Sequence, residues 1–197
     1  MEIDPADVSP SWTYRTLTSV VVPRPIGWIA TRSESGEANL APYSFFNGVS
    51  TDPPVVVFAA LDRPHGLTDS AQNIVDTGEF VHNLVTMELA EEMNATSATL
   101  DRGDDEFAHA GLTADPATVV DVPMVAEAMV NFECTLHDTV EVGNGLAIFG
   151  EVVKMHVDDA LLTEAEKVDV DEVDALGRLS GGLYCDTRNR LHMERPP

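Results

Sequence analysis

Positive charge is what this chain has least of. Two lysines, Lys154 and Lys167, and nine arginines stand against 34 acidic residues, leaving a formal net charge of −23 over 197 residues. A field of that sign repels nucleic acid and anionic membrane surfaces, so neither is expected as a partner. Long apolar runs are also missing. None approaches the roughly 18 residues that a membrane span requires, and the N-terminal MEIDPADVSPSW lacks the basic and apolar regions of a signal peptide. A soluble, cytoplasmic protein is expected. Cysteine occurs only at Cys134 and Cys185, which form no CxxC pair and match no zinc spacing. In a reducing cytosol a structural disulfide is not expected either. The histidines His65, His82, His109, His137, His156 and His192 show no HExxH or other metal spacing, so no metal is expected. No GxGxxG occurs to support a dinucleotide-binding Rossmann domain, and Ser180 lacks the GxSxG frame of a nucleophile elbow.

The acids are spread over many segments instead of forming one tail. Self-repulsion on this scale destabilises a compact state unless counterions screen it, and the Debye length is only about 3 Å near 1 M salt. A salt-rich cytoplasm is the natural setting, and the composition resembles that of proteins from halophilic archaea. An acidic protein from a mesophile is the alternative.

With 44% apolar residues, the chain suffices for one domain with a substantial core, and two domains would be cramped. Residues 1–17 hold scattered acids and prolines without a sustained period and are expected to form an arm or entry turn, followed by one domain over 18–197. Strand character begins at Val20 to Val22. SESGEA at 33–38 is rich in hairpin-turn residues, and strands joined there would bring Thr31 and Asn39 together. Leu67 to Thr77 reads as a helix with Thr68 or Asp69 as N-cap and Gly78 at its end, then a strand from Phe80 to Val85. A second helix is expected from Met87 to Ala98, then an acidic loop at 100–107. From Met129 to His137, Val130, Phe132, Cys134 and Leu136 alternate with Asn131, Glu133, Thr135 and His137, the period of a half-buried strand with Cys134 in the core. Gly143-Asn144-Gly145 supplies the turn to a partner strand running to about Val157. Thr163 and Glu166 fit a capping box opening a short helix. The fold class is therefore mainly β, an antiparallel barrel with a few peripheral helices.

The densest chemical signal lies between Pro23 and Ala60, where a polar, turn-rich segment separates the apolar runs Ile26 to Thr31 and Val55 to Ala60. Thr31, Asn39, Ser44 and Asn47 offer hydroxyls and amides for a phosphate or a polar ring edge, and Phe45 and Phe46 can cover an aromatic face. Each polar residue taken singly also suits an ordinary turn cap. Arg24, Arg32 and Arg63 lie in or just after this segment and suggest an anionic ligand. Arg63, His65 and Thr68 precede a helix whose positive dipole end favours an anion, although Arg63 and His65 also read as a surface charge and a loop histidine. The residues point to a phosphorylated, aromatic cofactor.

The blocks RPIGW, NLAPYSFFNGVS and DPPVVVF resemble those of the flavin reductase-like family, FMN-binding proteins built on a split β-barrel with Greek-key antiparallel topology. TGEFVHNLV at 77–85, LAEEMNATSA at 89–98, DEFAHAGLT at 105–113, NFECTLH at 131–137 and GRLSGG at 177–182 follow in the family's order, so the resemblance spans about Thr18 to Tyr184. It implies FMN as cofactor, held by Thr31, Asn39, Ser44, Phe45, Phe46, Asn47, Arg63, His65 and Thr68, with the Ala41 and Phe46 amides contributing and Asn94 as a further contact. It implies hydride transfer from NADH or NADPH to flavin, stacked directly and without a protein acid or base, so no catalytic side chain is named. RLSGGLY at 178–184 would border the nicotinamide side, or serve as an ordinary turn. The resemblance also implies a homodimer with FMN near the subunit interface and a partner monooxygenase supplied with reduced flavin. The competing reading is a flavoredoxin-like electron carrier that exchanges electrons with protein partners. A pyridoxamine-phosphate-oxidase-type enzyme fits the NLAPYSFFNG block less well.

Overall fold

The computed structural model describes residues 1–61, 66–100 and 104–196. The N-terminal segment forms a helix, α1 (Pro10–Val20), in place of the expected arm. Ser9 caps it by accepting from the Trp12 N–H, with Pro10 in the first turn, a start signal that outweighs the absent apolar period. Val20 and Val21 accordingly end a helix instead of beginning a strand.

The strands follow as β1 (Arg24–Pro25), β2 (Gly27–Arg32), β3 (Ala38–Tyr43), β4 (Phe46–Thr51), β5 (Pro54–Leu61), β6 (Glu79–Asn83), β7 (Ala114–Pro116), β8 (Pro123–Val125), β9 (Val130–Val142), β10 (Gly145–Val157), β11 (Gly177–Arg178) and β12 (Tyr184–Cys185). Seven of them pair antiparallel in the order β3-β2-β6-β9-β10-β5-β4. This order forces curvature. Strands β3 and β4 lie at opposite edges, which in a flat sheet would be roughly 29 Å apart at about 4.8 Å per neighbour. Only Ser44 and Phe45 connect them, a link that spans at most about 11 Å from Tyr43 to Phe46. The sheet therefore closes on itself as a barrel at the Ser44-Phe45 corner. The segment expected as a polar loop is in fact two edge strands and their connection.

The SESGEA turn joins β2 to β3 and sets Thr31 opposite Asn39, as the sequence predicts. Strand β2 is buried on both faces. Ile29 joins Phe58, Ile74, Phe80, Cys134 and Ile148 in one core. Trp28 joins Val81, Met93, Phe107 and Val125 in the other, with its Nε1 donating to Thr96 Oγ1 at 2.9 Å. Gly27 sits beneath the Phe46 ring, where an added Cβ would lie 2.6 Å from Cδ2. Phe46 thus pins the barrel corner, with its ring centroid 4.4 Å from that of His82.

Helix α2 (Asp69–Thr77) starts at Thr68, whose hydroxyl accepts from the Ala71 N–H, and ends at Gly78 with φ of 77°, as expected. The next helix is shorter than its pattern suggests. A 3-10 turn at Met87–Leu89 precedes α3 (Ala90–Ala95). Within the expected acidic loop, α4 (Glu106–Ala110) begins with Asp105 as its cap. The Thr163/Glu166 pattern opens no helix. Thr163 N–H donates to the Lys167 carbonyl, Thr163 Oγ1 accepts from the Lys167 N–H, and Glu166 takes φ of 56°, closing a tight loop whose ends bridge Leu162 to Val168.

Strand β9 departs from its expected half-exposed form. Asn131 and Glu133, on its polar face, are both buried. The segment at 112–128 covers that face and supplies the polar partners burial demands. Thr118 Oγ1 and the N–H groups of Thr118, Val119 and Val120 donate to Glu133 at 2.7, 3.0, 2.5 and 2.9 Å, and His156 Nε2 lies 2.6 Å from Oε1.

Candidate functional site

Two adjoining hollows lie along β3. The narrower one, about 130 Å³, is lined by Asn39, Ala41 and Tyr43 from β3, Thr68, Asp69 and Ser70 from the start of α2, Thr96 to Leu100, and Glu106. The hydroxyls and amides are already organised. Asn39 Nδ2 donates to Ser70 Oγ at 2.8 Å, and Tyr43 Oη and Thr68 Oγ1 share a hydrogen bond of 2.9 Å. Behind them Asn73 Nδ2 donates to Thr31 Oγ1 at 3.0 Å, linking β2 to α2. Burial raises the Glu106 carboxyl above its ordinary pKa, and the charges of Asp69 and Asp105 push the same way against hydrogen bonds from the Glu106 and Leu40 N–H groups.

The wider hollow, about 700 Å³, shares Pro42 and Ser97 with the first. Its volume falls in the range of small-molecule sites. Ser44, Asn94 and Met93 form one side; Tyr14, Arg15, Thr18 and Ser19 of α1, Arg24, and Arg178 to Gly181 with Tyr184 form the other. Arg24 explains how these parts meet. Its Nη1 donates to the Thr18 and Val21 carbonyls at 2.8 and 2.6 Å, at the negative end of α1, and its Nη2 donates to the Leu179 carbonyl at 2.9 Å. One buried guanidinium therefore ties α1 to the 178–184 loop. Ser19 and Ser180 hydroxyls add a hydrogen bond of 2.8 Å across the same junction. Arg178 stacks over the Tyr184 ring, 4.4 Å from its centroid, and donates to Tyr184 Oη and the Gly181 carbonyl.

The residues singled out from sequence divide accordingly. Asn39, Ala41 and Thr68 meet in the narrow hollow, and Ser44 and Asn94 face the wide one. Thr31 is fully buried and lines neither hollow, its hydroxyl accepting from Asn73 Nδ2 of α2. Phe46 packs on Gly27 and His82, and Phe45 accepts the Ala59 N–H at its carbonyl, so these two build the corner and do not line either hollow. Asn47 is exposed on β4, its Oδ1 accepting from the Gly48 N–H. Arg63 and His65 lie outside the described residues. Arg32 is committed elsewhere, to the Asp121 and Gly36 carbonyls, and only Arg24 of the two described arginines reaches the site. Sequence reasoning missed Arg15, Ser70 and Ser97. Ser70 lies two positions after the N-cap Thr68, in the first turn of α2, and that placement is its signal; Arg15 carries none, because the sequence shows no apolar period over α1.

His82 is a buried titratable group at the barrel corner. Its ring lies against Phe46 and Phe132, and burial lowers its pKa to about 3, so the imidazole is neutral. Among the described residues no group of three or more His, Cys, Asp or Glu is placed to hold a metal, and no helix is long and apolar enough to cross a membrane.

A mainly antiparallel barrel, closed at a two-residue corner and flanked by a polar cleft and an arginine-lined cavity, defines a split-barrel protein. The flavin reductase like domain model matches residues 19–177, and the chain belongs to that family. The crystal structure of nitrilotriacetate monooxygenase component B from Bacillus cereus is similar with a TM-score of 0.94 at 27% identity, covering 98% of each chain. That of the 2-nitrobenzoate 2-nitroreductase NbaA from Pseudomonas fluorescens gives 0.91 at 31% identity over 100% of this chain and 96% of the other. A protein with a split barrel domain from Shewanella frigidimarina NCIMB 400 shares the fold over 100% of both chains, with a TM-score of 0.85 at 20% identity.

Proposed function

We propose that this protein is an FMN-dependent oxidoreductase that draws hydride from NADH or NADPH, with FMN seated along β3. The observation that carries the reading is the adjoining pair of hollows: an ordered set of amides and hydroxyls opens into a cavity that, among the described residues, has three arginines and no acidic side chain, in a chain of net charge −23. Asn39, Ser70 and Thr68 suit the polar length of the cofactor. The turn opening α2 suits its phosphate, where the helix dipole adds to Thr68 and, by motif position, to Arg63 and His65. Ser44, the Ala41 and Phe46 amides, Asn47 and Asn94 are assigned to the ring system, and Phe45 and Phe46 fix the corner on which it rests. Thr31 positions Asn73 and, through it, the start of α2.

When bound, the flavin supplies the two-electron chemistry. The chain's own contribution is to orient it, to shield one side with the barrel corner, and to leave the cavity open for a second reactant. Residues 178–184 border that opening.

We assign the working form to a homodimer in a salt-rich cytoplasm, with a single domain over 18–197 preceded by its N-terminal segment. Exposed Trp12, Tyr14, Leu17, Val20 and Val21 on and after α1 offer an apolar surface for association. A monooxygenase partner receiving reduced flavin is consistent with the likeness to a monooxygenase component. The electron-carrier reading differs in one measurable way. Steady oxidation of NADH or NADPH that requires added free flavin supports the reductase; bound FMN reducible only by a protein donor replaces it with the carrier.

A further inference from the structure

The wide cavity holds more positive charge than its own wall uses. Arg15, Arg24 and Arg178 are three of the nine arginines in the chain, and no aspartate or glutamate lines the space among the described residues. Arg24 is only 6% exposed and bonds to neutral carbonyls alone, with Nε lacking an acceptor. A buried guanidinium without a counter-anion is costly, and carbonyl dipoles offset only part of that cost. The Arg15 side chain has no hydrogen-bond or ion-pair partner among the described residues. Arg178 is held in place by Tyr184 and the Gly181 carbonyl, which orders it without neutralising it. Ser19, Ser44, Ser97 and Ser180 add hydroxyls around the same space.

We propose that Arg15, Arg24 and Arg178 form an oxyanion subsite that binds the carboxylate or phosphate of the molecule exchanging electrons with the flavin. The inference rests on the flavoprotein reading for what the anion is attached to, and on the cavity alone for the anion itself. Guanidinium groups suit both chemistries, because their planar donors match a carboxylate or phosphate edge. Tyr14 and Tyr184 beside them suit a planar ring carrying the anion. The surrounding negative field makes the subsite selective, since an anion finds a favourable potential only where the arginines gather.

The test is calorimetric titration with inorganic pyrophosphate, benzoate and uncharged benzamide, at fixed salt, with and without saturating FMN. The unaltered protein is compared with Arg15→Gln, Arg178→Gln and, as a control outside the cavity, Arg32→Gln. The expected result is that at least one anion binds about tenfold or more tightly than benzamide, and that Arg15→Gln and Arg178→Gln each weaken it about tenfold. Arg32→Gln should leave it unchanged. Thermal melts check that each variant is folded, and Arg15→Gln disrupts no side-chain bond among the described residues. Preference for pyrophosphate assigns a phosphorylated reactant; preference for benzoate assigns a carboxylate. Anions binding no better than benzamide, or weakened equally by Arg32→Gln, overturn the subsite. If FMN binds and the anions do not, the subsite fails alone. If the anions bind and FMN does not, the flavin reading fails and the subsite stands.

Discussion

Replacing Glu133 with glutamine should cost this protein roughly 3 kcal/mol at neutral pH. The carboxylate is fully buried on β9. Burial alone would raise its pKa, but hydrogen bonds from the Thr118 hydroxyl, His156 and the Thr118 and Val120 N–H groups outweigh it and pull the value from 4.5 down to about 2. At 1.36 kcal/mol per unit, that difference between folded and unfolded chains is worth roughly 3 kcal/mol. Because the folded pKa lies below the unfolded one, the contribution is complete above pH 4.5 and is lost as pH falls through the window down to about 2. Glutamine keeps one acceptor but turns an amide toward a wall of donors, so it forfeits the charge-assisted part of the network. Urea denaturation at constant salt should show the roughly 3 kcal/mol loss at pH 7, equivalent to about 6 to 12 °C in melting temperature for a chain of this size. The gap should narrow toward zero as the pH is lowered through that window. A Glu133→Gln variant as stable as the parent at pH 7, or a gap independent of pH, would refute the reasoning.

Three further outcomes follow from the same geometry. His82 binds its proton far more weakly folded than unfolded, its pKa lowered from 6.5 to about 3 by burial, so stability falls as pH drops below 6.5. His82→Phe, which keeps the stack with Phe46 and Phe132, should remove that slope of up to about 1.4 kcal/mol per pH unit, measured by denaturation between pH 7 and pH 4. Gly27→Ala should cost about 1 to 3 kcal/mol by overpacking against Phe46, and Gly27→Ala with Phe46→Leu should recover part of it; a neutral single variant would show that the ring does not pin the corner. Thr68→Ala should lose about 1 kcal/mol of helix capping and weaken FMN binding about tenfold, read by denaturation and by flavin fluorescence quenching.

Much of this architecture is legible in the sequence because local signals and tertiary packing agree. The SESGEA turn and flanking apolar runs place Thr31 opposite Asn39, and Thr68 and Gly78 bound α2 through capping chemistry that needs no tertiary context. The failures share a cause: they depend on what packs from a distance. Glu133 reads as solvent-facing until the 112–128 segment supplies its donors. Phe46 reads as a ring cover until Gly27, in another strand, proves to be its seat. Thr163 and Glu166 have the residue types of a capping box, but the backbone turns back on itself at Lys167. Of the site, Asn39, Ala41 and Thr68 could be gathered from motif order. The arginine cavity could not, because it joins α1 to a loop some 160 positions away in sequence, as the Ser19 and Ser180 contact illustrates.

The central claim, an FMN site along β3, is tested most directly by titrating FMN into the protein at high salt and following quenching of flavin fluorescence. The account predicts saturable binding of one FMN per chain, weakened about tenfold by Asn39→Ala, whose side chain is the amide at the centre of the cleft. Flavin that stays fully fluorescent with the folded, unaltered protein contradicts it.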